Sequence, residues 1–95
     1  MPQSVLKQLT SLLERAQEEH KEYEAAVLNG VRDEAWDLWY ASWLVEHGLN
    51  DLLNVDLQSP DLATLLAGLY DEYQQGDQSQ NWAAYTAAQL VETVA

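Results

Sequence analysis

Between residues 4 and 28, apolar side chains recur at Val5, Leu9, Leu12, Leu13, Ala16, Tyr23 and Val27. At 3.6 residues per turn this spacing gathers them into one stripe, so the segment is expected to form a long amphipathic helix. Lys7, Glu14, Glu18, Lys21 and Glu22 fall on its other side, and Asn29-Gly30 supplies the left-handed stop that commonly ends a helix. A second helix is predicted over 33–47. Asp33 is suited to cap it by accepting from the free N–H groups of the first turn, and Gly48 ends it. Here the pattern changes: Trp36, Trp39, Tyr40, Trp43, Leu44 and His47 share one broad face, while Leu38, Ala41 and Val45 lie opposite. A helix apolar on two sides is either central or interfacial.

The stretch from Leu49 to Leu57 reads as a connector with a short helical turn near 50–54. Ser59-Pro60-Asp61 then combines an N-cap, a proline at the first helical position and an early acid, which predicts a helix over 60–75. Leu62, Leu65, Leu66, Leu69, Tyr70 and Tyr73 line one side of it, and Gly76 stops it. After the polar segment GDQSQN, Ser79 or Asn81 is placed to cap a last helix over 80–94, with Trp82, Ala83, Tyr85, Ala87, Leu90, Val91 and Val94 spread around its circumference. No segment alternates with period two. The expected fold is all-α: a four-helix bundle built from two αα-hairpins. Its predicted core is Leu9, Leu12, Ala16, Tyr23, Trp36, Tyr40, Leu44, Leu62, Leu66, Leu69, Tyr73, Trp82, Leu90 and Val91.

The two hairpins echo each other. With an offset of 46 residues, Gly30 matches Gly76, Trp36 matches Trp82, Ala41 matches Ala87, and Leu44-Val45-Glu46 matches Leu90-Val91-Glu92. Trp39 also aligns with Tyr85, and Asp33 with Ser79, which suggests duplication or pseudo-symmetry. Both stretches follow W-x-x-[WY]-x-A-x-x-L-V-E. In this they resemble small uncharacterised helical bacterial proteins and the tails of some larger bacterial enzymes. That resemblance covers about half the chain and implies a helical module without contributing any catalytic residue.

Ninety-five residues suit one domain, and a 47% apolar content is enough for a core without staples. The absence of Cys removes disulfides, thiolate nucleophiles and Cys-based metal sites, and fits a reducing compartment; a cytoplasmic location is the expectation. Neither an export signal nor a membrane span is visible. Sixteen acids against four Lys and Arg give a net charge of −12, which disfavours direct contact with nucleic acid or anionic lipid.

Candidate chemistry is sparse. His20 sits in the stripe of the first helix, where only Glu24 stands at a metal-ligand spacing, and neither His20 nor His47 completes a Glu-x-x-His motif. Glu14, Glu18 and Glu22 form an i, i+4 ladder that reads as a solvated face. Ser4, Ser59 and Ser79 read as helix caps, and no phosphate-binding glycine loop or nucleophile elbow occurs. No cofactor, metal or enzymatic activity is expected. The aromatic run Trp36, Trp39, Tyr40, Trp43 is the most informative local feature. Such a stripe reads first as core; if, together with Trp82, it exceeds what a 95-residue interior encloses, the remaining rings form a patch suited to an interface. The expected function is a protein–protein interaction or regulatory module that associates with itself or another protein through Trp39 and Trp43, with His47 at the rim. Two alternatives stay open: an acidic DNA mimic that occupies a DNA-binding protein, and a helical bundle that binds a small apolar or aromatic ligand.

Overall fold

A computed structural model describes residues 5–31, 33–76 and 81–94. Among these residues five helices follow one another: α1 (Val5–Ala26), α2 (Trp36–Glu46), α3 (Leu49–Leu53), α4 (Ser59–Gln75) and α5 (Trp82–Val94). Among the described residues there is no strand. The expected starts at residues 4 and 80, and the cap at Ser79, lie outside the described residues.

The most extensive packing is between α2 and α4 and between α1 and α5, while α1 against α2 and α4 against α5 close the circuit. The short helix α3 is more than a connector, because Leu49 and Leu53 are buried and it packs against both α1 and α2. Its backbone is set by two left-handed residues, Gly48 at φ 98° and Asn54 at φ 56°. Asn50 then clasps the following loop: its Nδ2 donates to the Leu57 carbonyl (3.0 Å), and the Leu57 N–H donates to its Oδ1 (3.1 Å). Two reciprocal hydrogen bonds thus fix the approach to α4, each worth about 0.5–1.5 kcal/mol.

The helix ends differ from expectation in three places. Asp33 does not cap α2. The helix begins three residues later, behind Ala35, without a side-chain cap, because Asp33 is drawn into other bonds described below. At α4, Ser59 is already helical and Gln58 holds the cap position, so Pro60 falls in the first turn one place later than predicted. Asn81 does cap as proposed, its Oδ1 accepting from the Ala84 N–H at 2.8 Å. The exit of α1 does use Asn29 (φ 53°) and Gly30 (φ 84°), although regular helix ends at Ala26.

The interior is built mainly from leucine and alanine. Leu9, Leu13, Leu44, Leu49, Leu62, Leu66 and Leu90 are fully enclosed, with Ala16, Ala41, Ala63, Ala83 and Ala87 between them. Of the predicted core, Tyr23, Trp36, Tyr73, Trp82 and Val91 are only half-buried. The alanines explain this correction, since small side chains let helix backbones approach closely and displace bulky rings to the margin. The buried side of α2 is centred on Tyr40, Ala41 and Leu44, so it cuts across both predicted faces and leaves Trp39 and Leu38 on the outer side.

Candidate functional site

The aromatic residues displaced from the interior are concentrated around α2. On α1, Gln17, His20 and Glu24 recur at helical spacing and present one polar edge toward it. His20 is buried at 7% exposure and its ring lies 4.8 Å from both Trp39 and Tyr40, centroid to centroid. Its Nε2 is 3.0 Å from Asp33 Oδ2. Asp33 is fastened twice more: its other oxygen accepts from the Ala35 N–H (3.0 Å), and its own N–H donates to Glu24 Oε2 (2.9 Å). One carboxylate therefore ties the connector between α1 and α2 to both helices.

Two recesses flank this tether. The first, a cavity of about 250 Å³, has aromatic walls from Trp36, Tyr40, Tyr70 and Trp82 and a polar edge from Gln17, His20, Glu24 and Asp33. Trp36 meets Tyr70 at 5.1 Å and 61° and Tyr40 at 6.0 Å and 76°, and Tyr40 meets Trp82 at 5.3 Å and 53°. The second is a groove of about 380 Å³ on the outer side of α2, lined by Leu38, Trp39, Ser42, Trp43 and Glu46 with Tyr23, Asp33 and Ala35.

The three residues named from sequence form one ladder. Trp39 stacks on Trp43 (6.4 Å, 15°), Trp43 stacks on His47 (3.8 Å, 13°), and the Arg15 guanidinium lies 5.7 Å from the Trp43 ring centre. Both Trp residues are half-buried and His47 is exposed, its Nδ1 held 2.8 Å from the Trp43 carbonyl oxygen. The structure brings Trp39 and Trp43 together in the groove, whereas His47 extends the ladder beyond it. The carboxylates Glu14, Glu18 and Glu22 all face solvent. Among the described residues no group of three His, Asp or Glu side chains is placed to hold a metal ion, and no helix is long and apolar enough to cross a membrane.

The sequence leaves open a ligand-binding bundle but does not identify the residues of the first recess, the cavity. His20 and Glu24 were visible as neighbours on one helix, but their junction with Asp33 depends on how the connector folds back. Tyr70 joins from α4, a contact with no local signature.

Burial, and secondly the nearby Glu24 carboxylate, push the Tyr40 phenol up to about 12. A free tyrosine ionises near 10, so between those values the unfolded chain loses a proton that the folded chain retains. The contribution of Tyr40 to stability is accordingly expected to be complete below pH ~10 and to be lost, up to roughly 2–3 kcal/mol, as pH rises toward 12. Urea titrations across this range should show the decline, and Tyr40→Phe should flatten it.

No known protein family matches this chain, and neither a curated protein nor a solved structure is significantly similar to it.

Proposed function

We propose that this all-helical chain is a non-enzymatic interaction module, and that the outer side of α2 docks a second copy of the chain. The observation that carries the reading is the groove itself. Two half-buried, stacked Trp rings line it beside Leu38, which remains 49% exposed. Trp side chains set in a recess are the usual anchors of protein interfaces, and a self-complementary patch on one helix suits a two-fold dimer. Val27 and Val31, exposed in the segment that leads into Asp33, add apolar surface nearby in the chain.

The likeness of α2 and α5 supports a four-helix reading of the fold. The helices α2 and α5 start 46 residues apart, at Trp36 and Trp82. Their burial follows the same order: Ala41 and Ala87 enclosed, Leu44 and Leu90 enclosed, Val45 and Val91 half-buried, Glu46 and Glu92 exposed. Exchange of the two halves would also interchange the α2–α4 and α1–α5 contacts. We read this as two related αα-hairpins in a four-helix arrangement, with α3 as an insertion between them.

Sedimentation over a concentration series tests the proposal. The unaltered protein is expected to dimerise, more strongly at about 0.5 M salt than at low ionic strength, because two chains of charge −12 repel. Leu38→Lys, at an exposed position, should give a monomer of unchanged helicity. A protein that stays monomeric at every concentration and salt would refute the reading.

A further inference from the structure

The walls of the α1–α2–α4–α5 cavity belong to none of the surfaces used above except through Asp33. Four aromatic rings line it, successive pairs inclined at 53° to 76°, so they form walls that meet at steep angles and not a parallel stack. The faces of Trp and Tyr rings carry negative quadrupole density, which attracts a cation placed over them. The polar edge adds Glu24 and Asp33, and among the described residues no Lys or Arg lines the cavity. The described wall is net negative with His20 neutral or protonated, and the field of a chain carrying −12 draws cations toward it.

The lining narrows the class of cation. Three of the four carboxylate oxygens already accept a hydrogen bond, two on Asp33 and one on Glu24, and half of the lining residues are aromatic, a surface that replaces the hydration of a primary ammonium or a divalent metal poorly. A quaternary ammonium needs no hydrogen-bond acceptors. Its charge is spread over methyl groups that need only aromatic faces and a negative potential. A cavity of about 250 Å³ suits a small molecule.

We infer that this cavity binds a small methylated ammonium ion, held by Trp36, Tyr40, Tyr70 and Trp82 against Glu24 and Asp33. The neutral Tyr40 phenol keeps its full ring character in the cage over the whole physiological range.

The test compares three compounds of similar size on the full chain, followed through the indole N–H resonances of Trp36 and Trp82. Choline carries the charge, the methyl groups and the hydroxyl; 3,3-dimethylbutan-1-ol is its uncharged isostere; ethanolamine keeps the charge and hydroxyl without the methyl groups. Choline is expected to shift both resonances and to bind about tenfold or more tightly than either comparator, the factor that ~1.4 kcal/mol of cation–π attraction provides. Glu24→Gln, which retains an acceptor for the Asp33 N–H, should weaken choline several-fold. Leu38→Lys, on the outer side of α2, should leave it unchanged, so loss of dimerisation and loss of cation binding are separable. Binding of the neutral alcohol as tight as choline would make the cavity merely apolar and overturn the inference. Equal binding of ethanolamine would reduce it to charge attraction and overturn it too, as would the absence of any shift with choline. Should Glu24→Gln fail to fold, the three-compound comparison on the unaltered chain still decides.

Discussion

Leu44→Ala should lower the unfolding free energy by about 3–4 kcal/mol, among the largest losses open to a single truncation in this chain. Leu44 is fully enclosed on α2, the helix that packs against α1, α3 and α4. Its removal forfeits the transfer energy of the lost carbons and leaves a cavity that three helices cannot easily collapse to fill. A domain of this size is held by only ~5–15 kcal/mol, so the loss would lower the midpoint of thermal unfolding by roughly 12–25 °C. Leu38→Ala, six residues earlier and half-exposed, should cost no more than about 1 kcal/mol. Thermal melts followed by circular dichroism separate the two. Comparable effects at both positions would mean that the inner and outer sides of α2 are wrongly assigned.

That assignment is where sequence and structure part. The helices were legible because each carries a strong local signal: the Leu stripe of α1, the Ser59-Pro60-Asp61 start of α4, the Asn81 cap of α5. The orientation of α2 was not, because apolar residues surround it and periodicity names no preferred side. Hydrophobicity ranks Trp36 and Trp82 above Ala41 and Ala87, yet the alanines are enclosed and the indoles are not. Close helix packing selects small residues at the contact, and that selection depends on a partner helix distant in sequence. Spacing puts Trp39 and Trp43 on one side of α2, where the structure stacks them in a groove, but spacing does not say that this side faces outward. The cavity was illegible for a different reason: its parts come from α1, the connector, α2, α4 and α5, and only folding assembles them.

Asp33→Ala is the second substitution with a large expected effect, about 2–4 kcal/mol, because it leaves a buried imidazole without its partner and frees the Ala35 N–H. Asp33→Asn should cost less, since an amide oxygen can still accept from Ala35. The share that belongs to the pair can be isolated by a double-mutant cycle with His20→Phe, which keeps a ring beside Trp39 and Tyr40 but removes the bond to Asp33. A coupling of about 1–2 kcal/mol is expected, measured by urea unfolding of the four proteins. A coupling near zero would show that His20 is held by ring packing alone and that Asp33 acts only through the connector. The substitution also reaches further than either surface variant, since Asp33 lines both the cavity and the groove. Leu38→Lys should abolish self-association alone and Glu24→Gln should weaken the cation alone, whereas Asp33→Ala should impair both, because one carboxylate fixes the segment from which the two recesses diverge.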